Sequence, residues 1–170
     1  EKFNTKHSLF DELLLVPLLF VGNGCKSKKI KQQVRTVDIL PTLLDILKIK
    51  FDEKKIDGKS LQGLMNGKKS NENIAYLESN PLIQLKSDDV IGIRTSEYKY
   101  FRDSVNSKKR IHLYDLRNDP FENENISNKN IGLVEKFENK LQEIINDSNL
   151  KSTDENDDEI YKELKKMGYA

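Results

Sequence analysis

The sequence predicts an α/β fold in two unequal parts: the last strand and helix of a large α/β domain, then a small antiparallel four-stranded sheet with packing helices. Three observations carry this expectation. Residues 13–22 are apolar without alternation, the pattern of a strand buried on both faces of a helix-covered sheet. Residues 36–47 place apolar side chains at 39, 40, 43, 44, 46 and 47, a helical period on a wide face. From about residue 73, four short β-branched or aromatic segments alternate with turn residues, the texture of a meander.

In chain order, the apolar strand comes first and has no strand beside it in the sequence. Its neighbours are expected from outside the chain, so the isolated chain should expose this strand or aggregate. Residues 25–35 form a polar loop with five bases, Lys26, Lys28, Lys29, Lys31 and Arg35. Without interleaved aromatics, it reads as a solvated surface turn. Asp38 as N-cap puts Pro41 at the third helical position, where a missing N–H has no intrahelical partner. That helix should end near residues 48–50. Asp57-Gly58-Lys59-Ser60-Leu61 then turns into a short helical piece ending at Gly67.

The meander is expected over residues 74–78, 90–95, 98–102 and 110–115, with Ser96-Glu97 as a tight hairpin connection. Residues 118–123 leave the sheet. Ile131, Val134, Phe137, Leu141, Ile144 and Ile145 then share one helix face that should lie across it. A linker over 146–156 leads to a second helix near 157–167, acidic at its start and lysine-rich at its end, with Gly168 as its stop. Three divisions follow: 1–72 closing the large domain, 73–148 as the small α+β subdomain, and 149–170 as linker and terminal helix.

Composition narrows the function classes. Twenty-nine Lys+Arg against 28 Asp+Glu leave a net charge of +1, with no global field for nucleic acid or an anionic membrane. The one cysteine, Cys25, excludes an internal disulfide framework and any multi-cysteine metal site. The longest apolar run is interrupted by Pro17 and is shorter than the roughly 18 residues of a membrane span. Hydrophobic residues make up 36%, a thin supply that suits a core whose other strands lie elsewhere. The first residue is Glu, which reads as a piece of a longer protein.

Several stretches, in order and spacing, resemble the C-terminal part of the sulfatase family within the alkaline-phosphatase-like superfamily. They are Lys6-His7-Ser8-Leu9-Phe10-Asp11-Glu12 with Val16-Pro17-Leu18, residues 37–45, and residues 57–61. Ile93-Arg94-Thr95 with Tyr98-Lys99-Tyr100, Leu113-Tyr114-Asp115-Leu116, Asp119-Pro120 with Glu122, and the ending 164–169 continue the match. The resemblance implies hydrolysis of a sulfate ester by a formylglycine made within a C-x-P-x-R motif, beside a Ca²⁺ or Mg²⁺ ion. In the family that apparatus lies upstream. Cys25 sits in Gly-Cys-Lys-Ser-Lys, without the Pro or the Arg, and is read as a loop residue. No metal ligand is assigned to this chain.

One functional position is implied here. Sulfatases carry a lysine shortly before the "VP" strand whose ammonium contacts the sulfate; Lys6, eleven residues before Pro17, occupies that place. An ammonium donates readily to an anionic oxygen. His7 beside it is a second, weaker candidate, for proton transfer, and Lys2 is weaker again. Arg94 and Tyr114 read as architecture, His112 as a structural strand residue, and Asp38 as a cap. The implied partners are a sulfate-ester small molecule or saccharide and the missing N-terminal catalytic portion, with no nucleic acid. Export to the periplasm or exterior is the family's habit. The alternatives are a phosphate or phosphonate ester hydrolase of the same superfamily, and a non-catalytic binding module.

Overall fold

Alternating aromatic and β-branched residues build the sheet in the computed structural model, which describes residues 9–22, 27–79 and 89–147. Strands β1 (Ala75–Ser79), β2 (Val90–Arg94), β3 (Tyr98–Asp103) and β4 (His112–Asp115) pair antiparallel in the order β1-β2-β3-β4. Thr95 closes the β2–β3 hairpin. Its N–H donates to the Tyr98 carbonyl at 2.8 Å and its hydroxyl accepts from the Tyr98 N–H at 2.9 Å. Ser96-Glu97 is the connection, as expected.

Period-2 alternation sends side chains to both faces of the sheet, and both faces are covered. On one, Ile91, Ile93, Tyr100 and Leu113 pack against Phe137 and Leu141 of the helix Ile131–Asp147. On the other, Val90, Phe101 and Tyr114 pack against Leu9, Leu116 and the ring of Phe10. Gly92 lies opposite Phe101 on this second face. A Cβ there would come within 2.3 Å of the Tyr100 carbonyl oxygen and 2.5 Å of the Phe101 Cβ, so only glycine fits.

Before the sheet, a short helix, Asp11–Leu14, leads into residues 15–22, which form no strand. This corrects the expectation of a buried strand over residues 13–22. Leu15 is 65% exposed, Leu19 81% and Val21 85%. A strand exists only beside a hydrogen-bonding neighbour, and among the described residues none flanks this segment.

A 3₁₀ turn, Thr36–Asp38, opens the helix Ile39–Ile46. The carboxylate of Asp38 reaches back to the Arg35 N–H at 3.0 Å and across to the Lys59 N–H at 2.9 Å. Asp38 stands at the N-cap position of the helix, as expected, but its side chain makes no cap bond to that helix and instead closes the 3₁₀ turn from its third position. The Thr42 hydroxyl donates to the Asp38 carbonyl at 2.5 Å and accepts from the Leu61 N–H at 2.8 Å. These bonds press Gly58 onto the 3₁₀ turn, where a Cβ would meet the Val37 carbonyl oxygen at 1.9 Å.

The helix stops at Ile46, slightly before the expected 48–50, because Lys48 enters the left-handed region with φ 57°. The short helix Gln62–Met65 follows, and Gly67, φ 86°, ends it as expected. In the long helix the expected inward face holds at Phe137 and Leu141, while Ile131 in its first turn stays 66% exposed. The expected terminal helix near 157–167 lies outside the described residues.

Candidate functional site: a buried ion cluster under the N-terminal segment

Arg94 and Lys99 are directly opposite in the β2–β3 register and project to the face that meets Leu9 and Phe10. Two cations in that relation repel. Asp11, carried in by its helix, lies between them. Its carboxylate accepts from Arg94 Nε at 2.9 Å and Nη2 at 2.6 Å in bidentate fashion, and lies 2.5 Å from Lys99 Nζ.

The side chain of Lys99 is fully buried. Its ammonium donates to the Leu9 carbonyl at 2.8 Å and also lies 2.5 Å from Glu122 Oε1. That oxygen has no hydrogen bond among the described residues, so the ion pair is what neutralises it. Glu122 Oε2 accepts from the Asp11 N–H at 2.8 Å. Two cations thus meet two carboxylates, and the backbone of residues 9–11 is gripped by both Lys99 and Glu122. Burial alone would push the Asp11 carboxyl up, but its bonds to Arg94 and Lys99 outweigh this and hold it below the usual carboxylate range.

An aromatic layer lies alongside. The His112 ring stacks on Phe101 with centroids 4.5 Å apart, and its Nδ1 lies 3.0 Å from the Tyr114 hydroxyl. Burial, with help from the nearby Arg110 charge, keeps the His112 imidazole below its ordinary pKa. Burial pushes the Tyr114 phenol up to about 12. Both groups are therefore neutral at ordinary pH.

Chemically this cluster is a clamp. Its carboxylates are engaged by cations, and its ammonium is spent on the chain's own backbone and acids. The sequence readings of Arg94 and Tyr114 as architecture match their surroundings. Asp11 and Glu12 diverge, Asp11 inward and Glu12 to solvent. Among the described residues no three His, Cys, Asp or Glu side chains converge on a point that could hold a metal ion.

Lys6, His7, Lys2 and Cys25 lie outside the described residues. Leu9 follows Lys6 by three residues in the sequence. Sequence reasoning missed the pairing of Lys99 with Glu122. The available signal was period two, which places Lys99 on the inward face that Phe101 also occupies.

The chain matches the family model described as N-sulphoglucosamine sulphohydrolase, C-terminal, over residues 2–150. It is 29% identical to arylsulfatase K of Mus musculus over 148 residues, covering 83% of this chain and 27% of that protein. It is 32% identical to the delta 4,5-hexuronate-2-O-sulfatase of Bacteroides thetaiotaomicron over 132 residues, covering 72% of this chain and 26% of that protein. A solved 2-O GAG sulfatase shares its fold with a TM-score of 0.61, at 23% identity, over 71% of this chain and 27% of that one. The chain spans about a quarter of the length of the curated relatives it matches.

Proposed function

The chain belongs to the sulfatase family, matching its C-terminal family model, and from that premise we propose that it is the C-terminal part of a sulfuric ester hydrolase. The observation that carries this reading is the family match running through residues 2–150. The apolar exposure of residues 15–21 supports it, because an extended apolar segment without a strand partner fits the sheet of a preceding catalytic portion. On this reading residues 1–72 complete the large domain, 73–148 form the small subdomain, and 149–170 are linker and terminal helix.

The nucleophile, a formylglycine, and a Ca²⁺ or Mg²⁺ ion belong to the preceding portion. This chain supplies Lys6 to the substrate's sulfate, with His7 beside it. The ion cluster contributes rigidity: by gripping residues 9–11 it limits how far Lys6 can stray from a fixed point. Preorganised charge is worth more than mobile charge, since no reorganisation is needed when negative charge builds on the leaving oxygen. The substrate class is a sulfated saccharide, supported by the relative named for a hexuronate 2-O-sulfate. Export to the periplasm or exterior fits such polymers, and no helix among the described residues is long and apolar enough to cross a membrane.

The test uses the longer protein that contains this chain. Turnover of an aryl sulfate should exceed that of the matching aryl phosphate, and Lys6→Ala should lower kcat by about 10²–10³-fold. Preference for the phosphate ester would move the protein to the phosphatase branch. Turnover by the 170-residue chain alone would overturn the division of labour.

A further inference from the structure

The two faces of the meander hold their coverings by different forces. The long helix is held mainly by hydrocarbon, with Ile91, Ile93 and Leu113 against Phe137 and Leu141. Its ion pair, Arg102 with Glu138, joins one side chain to another. Apolar contact is non-directional and leaves register loosely set. Residues 9–14 are held in addition by directed bonds that end on their backbone. Lys99 donates to the Leu9 carbonyl at 2.8 Å, and Glu122 accepts from the Asp11 N–H at 2.8 Å. A buried ion pair stabilises a fold little more than hydrocarbon of the same volume, so direction is what it adds.

Arg94 is the node of this arrangement. Its Nε and Nη2 take the Asp11 carboxylate at 2.9 and 2.6 Å, while Nη1 donates to the side-chain carbonyl of Gln33. Gln33 returns the bond, its amide donating to the Arg94 carbonyl at 2.9 Å. The Gln33 N–H donates to the Ser96 hydroxyl at 3.2 Å, and Ser96 is held in turn by Glu72. Two side chains 22 positions apart in sequence therefore meet on one guanidinium. The chain leaves the meander at Asp11 and regains it at Gln33, and the exposed apolar run at 15–22 lies between. A planar fork occupied on both sides is fixed in its plane, as a point charge is not.

We infer, on the reading that Lys6 meets the substrate's sulfate, that Arg94 is a positioning residue for the reaction: shared between Asp11 and Gln33, it fixes the place on the meander from which the segment bearing Lys6 departs. Arg94 acts through the Asp11 carboxylate and so through the backbone of residues 9–11, with Gln33 setting the plane of its guanidinium. Misplacing a reacting group by about 1 Å costs up to about 10²-fold in rate, so a contact remote from the chemistry carries a kinetic effect. Lysine is no substitute here, because an ammonium pairs with Asp11 as a point charge and lacks the second arm that reaches Gln33.

The test follows aryl sulfate turnover by the longer protein that contains this chain. Arg94→Lys should lower kcat by about 10–100-fold and change KM by less than about threefold, the split expected when transition-state contact is lost and substrate binding is not. Lys6→Ala/Arg94→Lys should fall within about twofold of Lys6→Ala alone, since Arg94 acts through Lys6. Gln33→Met, which keeps the length of the side chain and loses its bonds, should lower kcat by about threefold to tenfold. Leu141→Ala, which loosens the opposite face of the sheet, should leave kcat within about twofold at temperatures below its own Tm. Losses that multiply in the double variant, or an equal loss of kcat in Leu141→Ala, would reduce Arg94 to architecture and overturn the inference. Should Arg94→Lys fail to fold, Gln33→Met decides: an unaltered kcat, or a loss that multiplies with Lys6→Ala, overturns it equally. An unaltered kcat in Lys6→Ala would overturn the role of Lys6 and this inference with it, whereas the other failures leave that role standing.

Discussion

Ile93, Tyr100 and Leu113 in the meander are at most 1% exposed, whereas Leu19 and Val21, ahead of it, exceed 80%. Both regions are rich in apolar residues. The meander supplies its own hydrogen-bonding neighbours and two coverings, the long helix on one face and residues 9–14 on the other. The run at 15–22 has neither, and the outer face of the helix Ile39–Ile46 is similarly bare at Leu40 and Leu43. Apolar content therefore does not say where a core is. A core forms where backbone partners and a covering layer arrive from the same chain.

Breaking the clamp should separate the two regions most sharply. Lys99→Ala leaves Asp11 and Glu122 without their shared cation, and such a buried loss costs about 3–5 kcal/mol. Urea titration followed by far-ultraviolet circular dichroism should show that loss; an effect below about 1 kcal/mol would mean the ions are solvated as at a surface. Leu141→Ala, at the centre of the helix–sheet core, should cost about 2–5 kcal/mol through transfer and cavity together, read from the shift of the same transition. Gly92→Ala should cost about 1–3 kcal/mol as the Phe101 neighbourhood gives way, with His112 ring signals moving in the NMR spectrum.

Acid should weaken the folded meander as well. Asp11, Asp38 and Glu138 each have burial working to raise their pKa and cationic or hydrogen-bond partners that outweigh it, so all three sit below their ordinary values of 3.8, 3.8 and 4.5. A depressed folded pKa contributes stability that is fully present above the unfolded value. That stability is lost as pH falls through the folded one. The Tm should therefore hold from neutral pH to about the ordinary carboxylate values and fall below them; a Tm unchanged down to pH about 2 would contradict the ion pairing.

The smallest effect belongs to the other region. Leu19→Ser, at an 81% exposed site, should change the stability of the isolated chain by less than about 0.5 kcal/mol while reducing its self-association in sedimentation. A large loss of stability would place Leu19 in a core within this chain.

Much of the fold was legible because short-range physics decides it. Alternation marked the four strands, Ser96-Glu97 marked the hairpin, and the 3.6-residue period marked the inward face at Phe137 and Leu141. The misreadings came where a partner decides the outcome. Residues 13–22 carry the pattern of a buried strand, but pairing is a property of two segments. Asp38 does stand at the N-cap position, yet as the last residue of the 3₁₀ turn it sends its carboxylate to the Arg35 and Lys59 amides rather than into the helix. At the clamp, Arg94 was legible as an architectural cation. Glu122 was not, because its approach to Lys99 depends on the turn at residues 118–122 and on a left-handed backbone with φ 54°.

The sequence by itself determined the meander, its hairpin, the helix that covers one face and the resemblance to sulfatases, because each rests on local period, turn chemistry or motif order. Only the tertiary structure decided that residues 9–14 cover the second face, that Lys99 is buried between Asp11 and Glu122, and that the residues following them stay exposed. Those outcomes depend on contacts between residues about 90–110 positions apart. Such pairing energies arise only once the sheet exists to bring the partners together.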